Sequence, residues 1–144
     1  MDKERKPKKR NIVGVIVGMI SFALASYGAK RLFKKDFESE LKQAVIELNN
    51  QSPMQIDQFS RLDSASTTGN KNFTYHYTLF DLEKAEVNLD TVNKYIRPTI
   101  IENIKTNPEL KIFRDNNVTM DYEYYDKHGN FITEISVTPE IYND

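Results

Sequence analysis

The feature that most constrains this chain is an uninterrupted apolar segment near its N-terminus. Residues 12–29 read IVGVIVGMISFALASYGA and carry no charge, whereas six basic residues lie within 1–10 and four more within 30–35. An α-helix rises about 1.5 Å per residue, so this segment would span about 27 Å, close to the roughly 30 Å of a bilayer hydrocarbon core. Because backbone polar groups in lipid must be paired within the segment, we predict a transmembrane helix over 12–29.

The flanking charges predict how this segment lies in the membrane. Basic residues are more numerous before it than after it, which favours a cytoplasmic N-terminus. We therefore expect a basic cytoplasmic tail (1–11) and an extracytoplasmic domain (30–144), periplasmic or extracellular, on a single-pass inner-membrane protein. A cleaved signal peptide is the alternative, because Ala23-Leu24-Ala25 has the small-x-small form of a cleavage site. The apolar character continues to Ala29, which favours a retained anchor.

A stripe of small residues runs along the predicted membrane helix. The spacing of 4, 3, 4 and 3 places them on one helical face. Two of them form a GxxxG pair, which allows close approach of helices and predicts a homo-oligomer. Chance is the other explanation, since such residues are common in membrane helices. The stripe consists of Gly14, Gly18, Ser21, Ala25 and Gly28.

The formal net charge of −1 is the sum of two opposite regions. Residues 1–35 carry ten basic and two acidic side chains, giving +8, whereas 36–144 carry ten and nineteen, giving −9. We expect the basic region to contact anionic membrane lipid and the acidic domain to repel nucleic acid. The chain has no cysteine, which excludes disulfides, thiolate metal sites and a thiol nucleophile.

The residue patterns after position 35 predict two helical regions and two β-hairpins. Asp36 and Asp90 are suitable N-caps, and Pro98 predicts a kink or break in the second helical region. The expected fold class is α+β, with the transmembrane helix followed by helix–hairpin–helix–hairpin and an antiparallel sheet covered by helices on one face. The expected elements are a helix over 36–49, strands over 56–66 and 72–80, a helix over 91–105, a short helix over 108–113, and strands over 118–124 and 131–137.

Residue alternation predicts which face of the first hairpin is buried. Phe73, Tyr75, Tyr77 and Leu79 share one face of their strand, and His76 lies on the other. Tyr125 is out of phase with the preceding tyrosines of the last hairpin and is predicted to be on the surface.

Motifs of known catalytic chemistry are absent from the sequence. It contains no phosphate-binding glycine loop, zinc-protease motif, nucleophile elbow or calcium-binding loop. The two histidines, His76 and His128, fall on a strand and in a turn. We therefore expect no cofactor, no metal and no enzymatic activity.

The densest polar cluster is IDQFSRLDS, which contains Asp57, Arg61 and Asp63. Three interpretations remain open: a structural ion pair, a binding patch, or two carboxylates doing acid–base work. We take these three residues, with His76 and Tyr125, as the candidate binding residues.

Three stretches resemble a recurrent pattern in small bacterial membrane-anchored envelope proteins. They are PMQIDQFSRLDS (53–64), FTYHYTL (73–79) and TMDYEYYDKHGNFITEISVTP (119–139). The resemblance implies an envelope location and this architecture, without a stated activity. Members of that group often carry a cysteine in the second helical region, and no role tied to it carries over to this chain.

Together these observations predict a membrane-anchored envelope protein that binds or supports another protein. One alternative is an envelope enzyme acting through Asp57, Arg61, Asp63 and His76. Another is a small membrane subunit that works in a larger complex through its helix.

Overall fold

The structure, a computed structural model, describes residues 36–56 and 58–144. The predictions for the basic tail, the membrane segment, its small-residue stripe and Asp57 therefore lie outside the described residues. The elements are α1 (Phe37–Gln51), β1 (Met54–Gln55), β2 (Ser60–Ser66), β3 (Asn72–Leu79), a 3-10 turn (Lys84–Glu86), α2 (Leu89–Thr91), a π-helical turn (Val92–Ile96), α3 (Arg97–Thr106), a second 3-10 turn (Pro108–Leu110), α4 (Lys111–Asp115), β4 (Thr119–Tyr125), β5 (Phe131–Val137) and α5 (Pro139–Tyr142).

Helix α1 begins and ends close to where the sequence predicts. The Asp36 carboxylate accepts hydrogen bonds from the Glu38 N–H at 3.2 Å and from the Ser39 hydroxyl at 2.6 Å, which confirms the predicted N-cap. The helix ends before Pro53, because proline disfavours helical geometry at the preceding residue. Leu41, Ala44 and Leu48 form its buried face.

The second helical region differs from the prediction at both its start and its interior. Asn88 caps it by accepting a hydrogen bond from the Thr91 N–H at 3.1 Å, so the predicted cap at Asp90 is wrong. The expected irregularity at Pro98 takes the form of the wider π-helical turn. Proline lacks an N–H and its ring crowds the carbonyl four residues earlier, here that of Lys94, and a wider turn relieves this crowding.

The sheet has five strands in the order β1-β2-β3-β4-β5. Both predicted hairpins form, since β2 pairs with β3 and β4 with β5 in antiparallel fashion. The two hairpins join through a parallel pairing of β3 with β4, so the predicted antiparallel sheet is wrong. The helical residues between 80 and 118 provide the long crossover that a parallel connection requires.

The transmembrane helix in the predicted fold class is not borne out by the residues that the structure describes. Among residues 36–56 and 58–144, no helix is long and apolar enough to cross a membrane. The α+β character of the domain is confirmed, but the domain that the structure describes is a mixed sheet with helices and contains no transmembrane helix.

The core lies between the helices and one face of the sheet, and its centre is aromatic. The predicted inward residues Phe73, Tyr75, Tyr77 and Leu79 are all buried, as are Tyr122 and Tyr124 on the parallel neighbour. Tyr75 stacks on Tyr122 with ring centroids 5.2 Å apart, and Tyr77 stacks on Tyr124 at 5.5 Å. Parallel register places these rings side by side on one face.

Strand β5 departs from strict alternation of buried and exposed residues at its start. A bulge interrupts its pairing with β4 between Tyr124 and Tyr125, so that Ile132 is buried whereas Phe131 is 43% exposed. Phe131 therefore does not share the face of Ile135 and Val137, which are buried. A bulge adds one residue to a strand and reverses the faces of the side chains before it.

Candidate functional site on the open sheet face

The described helices pack their buried residues against one face of the sheet, and the other face is polar. We call this second surface the open face. It consists of rows of side chains from β2, β3, β4 and β5, which the strand register places next to one another. The central row is Ser64, His76, Glu123 and Glu134; one neighbouring row is Arg61, Thr78, Tyr125 and Phe131, and the other is Ser66, Thr74, Asp121 and Ser136.

Arg61 and Asp63 form an ion pair at one end of the open face. The Arg61 Nε donates a hydrogen bond to Asp63 Oδ1, and the Thr78 hydroxyl donates to Asp63 Oδ2 at 2.5 Å. Arg61 and Asp63 are two positions apart in β2, so strand alternation places both on the open face, and the register irregularity between Leu62 and Ser64 brings Ser64 and Ser66 to the same face. The guanidinium also lies 5.7 Å from the centre of the Phe80 ring. Both charges are therefore positioned by neighbours on β3 and its extension.

A continuous chain of hydrogen bonds crosses the middle of the open face. The Ser66 hydroxyl lies 2.9 Å from His76 Nε2, and His76 Nδ1 lies 2.8 Å from Glu123 Oε2. The Tyr125 hydroxyl donates to the same Glu123 oxygen at 2.6 Å. Three strands thus contribute to one hydrogen-bonded group, which we call the His76 chain: Ser66, His76, Glu123 and Tyr125.

Two side chains of the open face, Tyr125 and Glu134, have raised pKa values. The hydrogen bond to Glu123, with some burial, raises the pKa of the Tyr125 phenol to about 12, because the carboxylate stabilises the protonated phenol. Burial raises the pKa of Glu134, and the nearby charges of Asp121 and Glu123 add to this effect. The face therefore has an acidic side on β4 and β5.

A shallow depression of about 420 Å³ lies over the ion pair and the side chains of His76 and Tyr125, and it is widely open to solvent. Four of the residues predicted from the sequence border it: Arg61, Asp63, His76 and Tyr125. The remaining candidate, Asp57, lies outside the described residues. The structure therefore brings together the four candidate residues that it describes.

Glu123 and Ser66 are site residues that the sequence interpretation missed. The alternation that buries Tyr122 and Tyr124 also places Glu123 on the opposite face, so this signal was present. Its proximity to His76 depends on the parallel pairing of β3 with β4, which alternation does not reveal. Ser66 lies at the end of β2, where its partner His76 is ten positions away in sequence.

The arrangement of Ser66, His76 and Glu123 has the atom order of a serine–histidine–carboxylate triad. An acyl-transfer site also needs donors for an oxyanion and a cavity that excludes water. Ser66 is exposed at a strand end, and the depression beside the chain is open. The described residues also contain no cluster of three or more acidic or histidine side chains that could hold a metal.

His128 lies apart from the open-face group. It is in the β4–β5 turn, where its Nε2 is 3.5 Å from Glu83 Oε1. The Asp126 carboxylate fixes this turn by accepting hydrogen bonds from the N–H groups of His128 and Asn130 at 2.9 Å and of Lys84 at 3.1 Å. These hydrogen bonds hold the turn together and connect it to the 3-10 turn at Lys84.

Fold and site together define a small α+β domain with a helix-covered aromatic core and an uncovered polar sheet face. The chain belongs to the family described as "Domain of unknown function (DUF8479)", whose sequence profile matches residues 35–132. No curated protein matches the chain significantly in sequence.

Solved structures share this fold at low sequence identity. A candidate secreted protein from Pseudomonas aeruginosa aligns with a TM-score of 0.61 at 10% identity, covering 73% of this chain and 91% of its own. The type II secretion system pilotin AspS from Vibrio cholerae aligns at 0.54 and 10% identity, covering 86% and 99%. The Vibrio vulnificus type 2 secretion system pilotin EpsS aligns at 0.55 and 12% identity, covering 74% and 91%. These likenesses show a common fold.

Proposed function

We propose that this domain is an accessory, protein-binding module of the bacterial envelope and that the open face is its contact surface. The observation that carries the proposal is how the side chains of that face are arranged among the described residues. It is uncovered, yet its side chains already hydrogen-bond one another across three strands. The pattern suits recognition of a folded or extended partner more than it suits catalysis.

Pre-ordering of these side chains favours binding because less conformational entropy is lost on contact. Arg61 is held by Asp63 and Phe80, and Tyr125 is held by Glu123. Tyrosine and arginine are enriched among the residues that dominate protein interfaces. Phe131 adds apolar area beside Tyr125, with ring centroids 5.8 Å apart in an edge-on arrangement.

Two observations support an envelope location. The fold is shared with a candidate secreted protein and with two pilotins of secretion systems. The sequence before the domain is basic and then apolar over 12–29, as in export and membrane-attachment segments. The proposal therefore places the domain outside the cytoplasm and close to membrane lipid, where the basic N-terminal region balances anionic headgroups.

Site-specific photocrosslinking in the full chain tests the proposal. A photoreactive phenylalanine analogue replaces Tyr125 on the open face or, as a matched control, Tyr95, which is 50% exposed on the helical side. We expect crosslinking to a defined protein from position 125 and not from position 95, and loss of that product in Arg61→Ala. Equal labelling from both positions, or labelling unchanged by Arg61→Ala, would contradict a specific open-face contact.

The triad-like order of Ser66, His76 and Glu123 favours a second candidate function, hydrolysis by a serine nucleophile. A fluorophosphonate probe on the purified full chain separates the two. Labelling of Ser66 that disappears in His76→Phe would support the enzyme, whereas an unlabelled Ser66 leaves the His76 chain with a positioning role.

A further inference from the structure

The two edges of the sheet differ in what covers them. The outer side of β2 is paired with β1 at Leu62 and Arg61, and further along the Asn49 side chain bonds the Ala65 backbone. Strand β5 lies at the other edge and pairs only with β4 within the described part of the chain. One edge is therefore closed by the domain itself, and the other is available over most of seven residues.

Apart from the bulge at its start, strand β5 also lacks the usual protection of an exposed edge. Natural proteins block such edges with proline, lysine or covering elements. Residues 131–137 read FITEISV, with no proline and no basic residue, and Glu134 is the one charged side chain. A partner strand can add to such an exposed edge by β-augmentation.

The direction of the free backbone groups can be read from one contact. The Arg97 guanidinium donates to the Ser136 carbonyl at 3.3 Å, which shows that this carbonyl points away from β4. Backbone groups alternate in direction along a strand, so the N–H and C=O of Glu134 point outward as well. Arg97 thus marks one end of the free edge, and Glu134 lies at its centre.

The charge of Glu134 indicates which side chain an added strand would place beside it. The other two acidic side chains in the rows of the open face have hydrogen-bond partners. The Glu123 carboxylate contacts His76 and Tyr125. The Asp121 carboxylate accepts hydrogen bonds from Asn72 and Ser136. No hydrogen bond or ion pair is formed by the Glu134 side chain with the residues that the structure describes. The negative charge at the centre of the edge is therefore complementary to a cationic side chain on an added strand.

We propose that β5 accepts an extended segment of another protein as a sixth strand, with a lysine or arginine of that segment beside Glu134. The proposal rests on the proposed binding function and names the chemistry of the partner. A second copy of this chain fits less well, because a two-fold antiparallel pairing centred on β5 would bring two Glu134 carboxylates together.

Selection of peptides on the full chain tests this proposal. A randomised heptapeptide library displayed on phage provides the probe, and selected peptides are remade for affinity measurement. We expect peptides of alternating β-branched residues with a central lysine or arginine. Glu134→Gln should weaken binding of these peptides about tenfold and remove the preference for a basic residue, whereas Glu109→Gln, a charge removal on an exposed turn, should leave both unchanged.

Backbone pairing is tested separately from charge. Glu134→Pro removes one outward N–H while leaving the bonds to β4 in place, and we expect peptide binding to be lost with an unchanged circular dichroism spectrum. If this variant does not fold, N-methylation of alternate peptide residues makes the same test on the ligand. Failure to enrich any peptide, or binding unaffected by both Glu134→Pro and N-methylation, would overturn the proposal. Open-face crosslinking from position 125 that persists in Glu134→Pro would then leave the proposed function standing without the edge mechanism.

Discussion

The side-chain amide of Asn49, near the end of α1, pairs with the backbone of Ala65 in β2 as a neighbouring strand would. Its Nδ2 donates to the Ala65 carbonyl at 2.9 Å, and its Oδ1 accepts from the Ala65 N–H at 2.7 Å. This contact attaches the helix to the sheet and occupies the part of the β2 edge that β1 does not reach. The edge asymmetry behind the proposed partner site depends on it.

Replacing Asn49 by alanine should therefore destabilise the domain by about 2 kcal/mol, since two hydrogen bonds of about 1 kcal/mol each are lost. Chemical denaturation of the wild type and Asn49→Ala measures the change in the free energy of unfolding. Asn50→Ala is a matched control at an exposed neighbouring position, where we expect a change below about 0.5 kcal/mol. Equal effects at the two positions would contradict the pairing.

Two buried tyrosines should respond in opposite ways to loss of the hydroxyl. The Tyr142 hydroxyl donates to the Val118 carbonyl at 3.0 Å, whereas the buried Tyr77 hydroxyl has no hydrogen-bond partner among the described residues. Tyr142→Phe should cost about 1 kcal/mol, and Tyr77→Phe should be neutral or stabilising by up to about 1 kcal/mol. Denaturation midpoints measure both, and a large loss in Tyr77→Phe would show that its hydroxyl has a partner.

The Asp126 turn should make stability depend on acid pH. Burial acts to raise the pKa of Asp126, but hydrogen bonds from Asn130, Lys84 and His128 outweigh it and hold the pKa far below the usual range. Its contribution is thus present above the unfolded pKa of about 3.9 and is lost as the pH falls through the folded value. Asp126→Asn should lower the melting temperature at pH 7, and the difference from wild type should shrink below about pH 4.

The same melting temperatures can contradict this prediction. A difference between Asp126→Asn and wild type that stays constant from pH 7 to pH 2 would show that the carboxylate charge is not what stabilises the turn. Glu109→Gln provides a control for loss of one exposed acidic charge.

Tyr125 should titrate late because of Glu123. The hydrogen bond to Glu123 raises the pKa of Tyr125 to about 12, and Glu123→Gln should return it toward its usual value of about 10. In the wild type the folded state keeps this proton between about pH 10 and 12 while the unfolded state loses it, so the stabilisation declines with rising pH over that interval. A ring-carbon NMR titration of Tyr125 follows the ionisation, and an unchanged pKa in Glu123→Gln would contradict the contact.

Local patterns in the sequence were sufficient to predict much of the secondary structure of this domain. Alternation of apolar and polar residues identified β3, β4 and the buried face of Phe73 to Leu79, because a strand with one buried face must alternate. The Asp36 cap and the stop at Pro53 were read from residue types whose backbone preferences act over a few positions. Arg61, Asp63, His76 and Tyr125 were selected in the same way, by type and phase.

Other features depended on contacts between distant parts of the chain. The bulges at Asp63 and Ile132 change which face a side chain occupies, and they arise from strand pairing that local pattern does not encode. The π-helical turn before Pro98 and the cap at Asn88 depend on how the crossover packs.

The sequence by itself determined the alternation that makes one face aromatic and the other polar, together with the charge contrast between the first 35 residues and the rest. Only the tertiary structure decided that β3 and β4 run parallel, which sets His76 beside Glu123 and leaves β5 at an open edge. The reason is physical: alternation fixes the direction of side chains within one strand, whereas the order and direction of strands depend on how the crossover helices cover the whole sheet.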